Sequence, residues 1–342
     1  MSSNYFSIGF GIGTKNKKGE WLEVFYPAPV AYPTDTLVNA CITALGKGKA
    51  AFEPDNMQCL ALASELDNAG YGEHATLWRQ LAQSTQPKIV CLLESDTQPT
   101  SVPEAYLKLQ LLSHRLIRPH GQNLAGIFGV LPNVAWTSEG AIDINELAAR
   151  QLQARIEGRV LDVLAVDKFP KMLNYVAPSG VRVADGSRIR LGAFLGEGTT
   201  VMHEGFVNFN AGTEGPNMIE GRISAGVFVG KGSDLGGGSS TMGTLSGGGN
   251  IVISVGEESL IGANAGIGIP LGDRCKVESG LYITAGSVIT VIDNEGKANG
   301  KVKARELAGK SDLLFRRNSS TGALEVLTNK SAVELNAALH KN

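Results

Sequence analysis

The chain has 342 residues, of which 43% are hydrophobic and 19% charged, and its formal net charge is -2. This composition is that of a globular protein with two or three structural units, and the charge disfavours a nucleic-acid-binding role. No run of about 20 apolar residues exists, so we expect no membrane span. The first residues lack the pattern of a signal peptide. Four scattered cysteines, none in a CxxC pair, predict buried thiols in a cytoplasmic protein.

The N-terminal part mixes strand and helix patterns and predicts an α/β domain over residues 1–130. Residues 5–29 favour extended structure because apolar residues alternate there. Gly9, Gly11 and Gly13 precede Thr14 and Lys15, but the GxxxxGK[ST] spacing is absent, which favours a strand over a phosphate loop. The remaining predicted elements are helices over 34–46, 56–69, 72–83 and 102–116 and a buried strand over 89–93.

Two further segments flank the glycine-rich middle of the chain. Residues 131–176 are predicted to be a connector with one helix over 143–156, for which Asp143 is a suitable N-cap. Residues 301–342 are predicted to be a C-terminal extension, in which a β-hairpin turns at 319–322 and a helix closes the chain. The predicted strands of the extension are 301–305, 313–318 and 324–327, and its helix is 331–339.

In the middle of the chain, aliphatic residues return every sixth position, which neither a helix nor a simple strand can sustain. Such hexads are typical of short strands joined by tight corners, three hexads to a circuit. We therefore predict a parallel β-helix over 177–300, with the left hand that is associated with strict hexads. The stripe consists of Val183, Ile189, Leu195, Val201, Val207, Thr213, Ile219, Ile223, Val229, Leu235, Val255, Ile261, Ile267, Leu271, Val277, Ile283 and Ile289.

The six-residue repeat is interrupted at several places. Because the stripe residues fill the interior of a β-helix, a functional site must lie on its outer surface or on loops at such interruptions. The phase slips by four residues between Ile219 and Ile223 and again between Ile267 and Leu271. Of the 43 glycines, 25 lie between residues 181 and 290, as tight corners require. The glycine-dense tract 236–250 suits either a backbone anion-binding loop or a surface loop, and composition leaves both open.

Acidic and basic side chains near the first slip are candidates for chemistry. Glu220 follows the inward Ile219 and is predicted to point outward together with Arg222. The pair could be an exposed ion pair or a carboxylate that handles a proton or an acyl group beside a cation. Glu204 is predicted to lie on the neighbouring circuit. His203 is the one histidine of the repeat, whereas a catalytic zinc site would require more ligands.

Three stretches resemble the tetrahydrodipicolinate N-succinyltransferases, in particular the divergent branch with MHEG and EGRISAG signatures. They are VMHEGFVNFNAGTEGPNMIEGRISAGVFVGKGSDLGGGSSTMGTLSGGG (201–249), GLYITAG (280–286) and VKARELAGKSDLLFRRNSS (302–320). The resemblance implies succinyl transfer from succinyl-CoA to the amine of ring-opened tetrahydrodipicolinate, in lysine and diaminopimelate biosynthesis. It also implies a homotrimer with active sites between subunits, and small-molecule rather than nucleic-acid or membrane partners.

The same resemblance assigns site residues by matching position. Glu220 is the implied catalytic carboxylate. The branch can hold magnesium between an aspartate and the MHEG glutamate, but here Glu204 is kept and Ser187 replaces the aspartate, so the sequence disfavours the metal. The implied CoA contacts are Arg222, Gly237, Ser240, Ala263, Glu278, Ser279, Gly286, Lys303, Arg316, Arg317, Asn318 and Ser319. The alternatives are an acetyl-CoA-dependent N-acyltransferase and a non-catalytic hexapeptide scaffold.

Overall fold

The computed structural model describes residues 5–48, 50–243 and 251–328. The predicted closing helix at 331–339 and the end of the glycine tract lie outside these residues. The chain divides into two compact units. The first comprises the described residues up to Ile117, then Gly121–Pro170 and Asn174–Val176; the second comprises Arg118–His120, Lys171–Leu173 and the described residues from Ala177 onward. Among the described residues, no helix is long and apolar enough to span a bilayer.

The first unit contains an antiparallel sheet with strand order β2-β1-β5-β4, to which β3 adds beside β1. Its core includes Phe10 and Trp78, whose rings meet edge to face at 5.9 Å between centroids. The elements up to α4 are β1 (Ser7–Lys15), β2 (Trp21–Phe25), β3 (Val30–Ala31), α1 (Asp35–Leu45), β4 (Ala51–Phe52), α2 (Asn56–Asn68), α3 (Gly72–Ala82), β5 (Lys88–Leu93) and α4 (Val102–Ser113). The four predicted helices and the strand at 89–93 are confirmed within a few residues.

The segment predicted as a connector contains a sheet that the sequence analysis missed. Its strands pair antiparallel in the order β7-β6-β8, and Asp143 caps the following helix by accepting from the backbone N–H of Asn145. Gly140, with φ of 98°, permits the tight turn between the first two strands. The elements are α5 (Ile127–Val130), β6 (Val134–Thr137), β7 (Gly140–Asp143), α6 (Ile144–Ile156) and β8 (Val163–Asp167).

In the second unit, short parallel strands visit three sheets in rotation. We name the sheets by their strand orders: sheet I is β10-β13-β16-β19, sheet II begins β9-β11-β14-β17-β20-β22, and sheet III is β12-β15-β18-β21-β23. The strands are β9 (Arg182–Val183), β10 (Ala193–Leu195), β11 (Thr199–Val201), β12 (Phe206–Val207), β13 (Ala211–Thr213), β14 (Asn217–Ile219), β15 (Arg222–Ile223), β16 (Phe228–Val229), β17 (Asp234–Leu235), β18 (Ser240–Thr241), β19 (Ser254–Val255), β20 (Leu260–Ile261), β21 (Gly266–Gly268), β22 (Lys276–Val277) and β23 (Tyr282–Thr284).

The strand register explains the slips in the six-residue rhythm. Thr200 pairs with Met218, eighteen residues on, which is one circuit of three full hexads. Ile219 pairs with Leu235, only sixteen residues on, because the slip after Ile219 shortens that circuit. Every stripe residue from Ile189 to Ile289 is at most 3% exposed, which confirms the hexapeptide repeat and the stripe apart from its first member, Val183, which is half-buried.

The C-terminal part of the chain extends sheet II. β26 pairs in parallel with β22, and β27 pairs antiparallel with β26, which confirms the predicted hairpin. The prediction of a strand through 305 is wrong at its end: Ala304 and Arg305 begin a 3₁₀ helix, Ala304–Leu307, whose first residue is buried. The remaining strands are β24 (Val288–Ile292), β25 (Ala298–Lys303), β26 (Leu313–Arg317) and β27 (Leu324–Thr328).

All four cysteines are unpaired and buried, as the sequence predicted. Burial raises the pKa of the Cys41 thiol to about 12 and that of Cys59 to about 11. Thiols protonated at neutral pH are unreactive. The cysteines therefore belong to the packing of the fold rather than to its chemistry.

Candidate active site

The outer face of sheet III presents one residue from each successive circuit. Residues that precede a buried stripe residue by one position face outward, since neighbours on a strand alternate. The register aligns these positions into a single row across the sheet. The row consists of Phe206, Arg222, Ser240, Gly266 and Tyr282.

A cleft of about 590 Å³ opens along this row and contains the predicted catalytic carboxylate. Glu220 is half-buried in its wall. No other described residue donates a hydrogen bond to this carboxylate or forms an ion pair with it, so it can act on a ligand. The lining residues are Arg188, Glu204, Phe206, Glu220, Gly221, Arg222, Gly238, Ser239, Ser240 and Tyr282.

Arg222 is held beside Glu220 by the next circuit. Its guanidinium donates from Nη2 and Nε to the hydroxyl of Ser240, at 2.6 and 3.2 Å. Ser240 is only 5% exposed, which fixes the acceptor and thereby orients the arginine. The structure thus brings together three residues that the sequence singled out, and the guanidinium is directed toward the later circuits of the repeat.

Further candidates lie on a stack of corners between sheets II and III, which we call the corner stack. It consists of Glu220, Gly237, Ala263 and Ser279, one from each successive circuit, and Arg317 continues it at the end of β26. A Cβ placed on Gly237 would lie 3.4 Å from Oε2 of Glu220, so this carboxylate rests against the next corner. At the other end, the backbone N–H of Arg317 donates to Glu278 at 2.6 Å.

Backbone donors of the corner stack are open to a ligand. The carbonyl oxygens of Gly237 and Ala263 accept from Asn264 and Gly280 of the following circuit, at 2.9 and 2.8 Å. The N–H groups of Gly237, Ala263 and Ser279 donate to no described residue. A row of unpaired N–H groups on small residues can bind the carbonyl oxygens of an extended ligand.

The basic residues near the C-terminus divide into two kinds. Arg316 is committed to a buried partner, because its guanidinium pairs with Glu325 at 2.9 Å and Glu325 is only 6% exposed. Asn318 also donates to Glu325, at 2.8 Å, and these bonds lower the pKa of Glu325, that from Asn318 most. Lys303 and Arg317, in contrast, are exposed and form no ion pair with a described residue.

The other predicted contacts are exposed residues at turns. Gly286 lies in the turn between β23 and β24, and Ser319 follows the end of β26. Lys303 ends β25, opposite Val288. Gly286 and Lys303 follow Ser279 in the chain, and Ser319 follows Arg317.

Glu204 lines the cleft with an exposed carboxylate, but the structure gives it no companion ligands. Asp185, its possible partner, accepts from the hydroxyl and N–H of Ser187 at 2.7 and 2.9 Å, and these bonds lower its pKa. Within the described residues, no three His, Cys, Asp or Glu side chains form a group suited to a metal ion. Within a single chain, the described residues therefore do not form a magnesium site.

Six residues of the cleft were not identified from the sequence: Arg188, Phe206, Gly221, Gly238, Ser239 and Tyr282. A usable signal existed for Phe206 and Tyr282, since each stands one position before a stripe residue, as Arg222 does. Ser239 carries a buried hydroxyl that has no hydrogen-bond partner among the described residues. Arg188 sits in a short 3₁₀ helix, Gly186–Arg188, which the hexad rhythm does not predict.

A hexapeptide-repeat core with a carboxylate beside a row of open N–H groups defines a hexapeptide acyltransferase. Family models match at residues 131–171, described as tetrahydrodipicolinate N-succinyltransferase middle, and at 252–285, described as hexapeptide repeat of succinyl-transferase. The chain belongs to the 2,3,4,5-tetrahydropyridine-2,6-dicarboxylate N-succinyltransferase family. Relatives with that name come from Pseudomonas paraeruginosa and Pseudomonas putida, each 62% identical over 99% of both chains.

More distant relatives extend the same likeness. The enzyme of that name from Vibrio cholerae is 58% identical over 340 residues, 99% of both chains. A crystal structure from Campylobacter jejuni, described as a 2,3,4,5-tetrahydropyridine-2-carboxylate N-succinyltransferase, superposes with a TM-score of 0.87. It is 31% identical, and the match covers 97% of this chain and 94% of that one.

Proposed function

We propose that the protein transfers a succinyl group from succinyl-CoA to the amine of ring-opened tetrahydropyridine-2,6-dicarboxylate, in lysine and diaminopimelate biosynthesis. The observation that carries this proposal is the position of Glu220 at one end of the corner stack, beside N–H groups that no described residue uses. An acyltransferase needs a group that handles the amine proton or the acyl group, here a carboxylate, and hydrogen-bond donors along the acyl carrier. The names of the full-length relatives support the same activity.

The proposed donor lies along the corner stack. Its pantetheine amides meet the N–H groups of Gly237, Ala263 and Ser279, and its phosphates meet Lys303 and Arg317. In the reaction the thioester C–S bond breaks, an amide C–N bond forms, and the amine's proton passes to the CoA thiolate. Glu220 serves this exchange by one of two routes: it attacks the thioester to form an acyl anhydride, or it removes the amine proton.

We also propose that the repeat is a left-handed parallel β-helix and that three copies form the working enzyme. The rotation of strands through three sheets and the hexad period support the fold. Tyr282, at the edge of the cleft, remains 50% exposed in one chain, which leaves room for a neighbour to complete the site. A molar mass in solution of three times 36.0 kDa is expected, in the cytoplasm where acyl-CoA is made.

The decisive experiment is CoA release monitored with a thiol reagent. Thiol release with succinyl-CoA that depends on tetrahydrodipicolinate is the expected result, with acetyl-CoA at least tenfold poorer in kcat/KM because its acyl group lacks the carboxylate. Equal rates with both donors would favour the acetyl-transferring alternative. No release with either donor would reject the enzyme in favour of a scaffold.

A further inference from the structure

Arg188 is a cation fixed in place at the start of the cleft. Its guanidinium donates from Nη2 to the carbonyl oxygen of Glu204 at 2.7 Å and from Nε to that of Gly205 at 3.3 Å. It also lies over the ring of Phe206, 5.9 Å from the centroid, within the range of a cation–π contact. An arginine held by two carbonyls and a ring loses little entropy when it binds an anion.

The guanidinium of Arg188 shares the cleft with the carboxylates of Glu204 and Glu220 but pairs with neither of them. No described carboxylate forms an ion pair with it. Asp185 is near enough to feel its charge, but that carboxylate is already bound by Ser187. A half-buried guanidinium in a ligand cleft, with its backbone-facing donors satisfied and no ion pair to a described carboxylate, is suited to a carboxylate ligand.

The chain order of the lining residues separates the cleft into two sides. The corner stack runs from Glu220 toward later circuits, through Gly237 to Arg317. Arg188 belongs to an earlier circuit. Its neighbour Ile189 forms a parallel bridge with Val207, and the strand that contains Val207 pairs with the strand of Arg222 in the following circuit. Glu220 therefore lies between the side proposed for the donor and the side that Arg188 occupies.

The neighbouring Arg222 does not supply the same function. Its guanidinium is directed to Ser240, on the later-circuit side. An acceptor with two carboxylates, one near the reacting amine and one remote from it, would need a cation on the earlier side as well. Of the arginines that line the cleft, Arg188 is the one on that side.

We propose that Arg188 binds the acceptor carboxylate remote from the reacting amine and so makes the enzyme specific for amino dicarboxylates. This inference rests on the proposed succinyl transfer. Phe206, whose circuit lies between those of Arg188 and Arg222, would contact the aliphatic chain that joins the two ends of the acceptor.

The test compares two acceptors that differ only at the remote end. 2-Aminopimelate, the acceptor without its keto group, carries the second carboxylate, and 2-aminoheptanoate has a methyl group instead. Wild type should prefer the dicarboxylate by roughly 10- to 100-fold in kcat/KM, the range expected for a charged hydrogen bond. Arg188→Gln should bring that preference to within about threefold of unity by losing activity on 2-aminopimelate alone, with the succinyl-CoA KM unchanged.

Controls separate this inference from the proposed function. Arg188→Lys, which keeps the charge but not the planar fork, should retain part of the preference. Arg182→Gln removes an exposed arginine from sheet II and should leave the preference as in wild type. If wild type turns over tetrahydrodipicolinate but Arg188→Gln keeps the full preference, the assignment of Arg188 is rejected. If wild type shows no turnover, the proposed function itself is rejected. Circular dichroism of each variant verifies folding.

Discussion

The ring of Tyr282 lies across the α-carbon of Gly266, where a Cβ would fall 2.3 Å from Cε1 of the tyrosine. The two residues are partners in adjacent strands of sheet III, in parallel register. Only glycine allows the ring to lean over the row toward Ser240. The absence of a side chain at position 266 therefore shapes one wall of the cleft.

We expect Gly266→Ala to displace the Tyr282 ring and reduce kcat/KM by roughly tenfold, because small displacements in a site are costly. The backbone at this position is ordinary, so the variant should fold. Steady-state kinetics in a Tyr282→Ala background provides the check. There the added methyl group should have no further effect, and a full tenfold loss in that background would show that the tyrosine is not the cause.

Replacing the candidate catalytic carboxylate gives the sharpest loss. Glu220→Gln keeps the shape of the side chain and should lower kcat by roughly 10²- to 10⁴-fold, while circular dichroism and molar mass stay as in wild type. Mass spectrometry of wild type with succinyl-CoA alone separates the two routes. A chain that gains one succinyl group, absent in Glu220→Gln, supports the anhydride, and an unmodified chain supports proton removal. Near-wild-type turnover would exclude Glu220 from catalysis.

Lys303 and Arg317 are expected to bind the donor phosphates, whereas Arg316 is not. Lys303→Ala combined with Arg317→Ala should raise the succinyl-CoA KM by roughly tenfold or more, the loss of charge-assisted hydrogen bonds. A donor without the 3′-phosphate should show a smaller difference between wild type and variant. Arg316→Ala should leave the donor KM nearly unchanged, since that guanidinium is bound to Glu325. The reverse pattern would contradict the assignment.

The pair of Arg316 and Glu325 predicts a pH dependence of stability. Hydrogen bonds from Asn318 and Arg316 lower the pKa of Glu325 below its ordinary value of 4.5. Because the folded-state pKa is lowered, the contribution of the Glu325 carboxylate to the free energy of unfolding is fully present well above pH 4.5. This contribution declines as the pH falls through the folded-state pKa. Thermal unfolding of Glu325→Gln, compared with wild type at about pH 7 and about pH 4, should show a smaller loss of stability on acidification. Identical losses would refute this.

Thr213 occupies a position of the apolar stripe, and its hydroxyl is paired with that of Thr199 at 2.8 Å. Both side chains are fully buried. Thr213→Val alone should destabilise by about 1–3 kcal/mol, because it leaves a buried hydroxyl unpaired. Replacing both residues with valine should recover most of that loss. Denaturant unfolding at matched protein concentrations measures the cycle. Additive losses would mean that the hydroxyls do not depend on each other.

The features of the fold and of the candidate site that the sequence could predict are those in which the interacting residues lie close together in the chain. The aliphatic period identified the repeat, and the slip between Ile219 and Ile223 accounts for the shortened circuit, because both are local patterns. Pairing between distant positions left no comparable signal. Nothing near Arg316 in the sequence indicates that Glu325 will be buried against it, and the family resemblance placed Arg316 only among the implied CoA contacts. The short strands β6 to β8 were missed because four or five residues carry little periodicity.

The C-terminal extension changes how the stack of strands ends. A parallel stack leaves unpaired N–H and C=O groups at its last strand, a template for another chain. Here β22 is covered by β26, and the outermost of the described strands of sheet II is β25, which carries Lys301 and Lys303. Charged lysines on an outer strand oppose the approach of a second sheet edge. The antiparallel pair of β24 and β25 carries Lys303, a proposed phosphate ligand. The same pair therefore also opposes fibre-like growth from this end of the sheet.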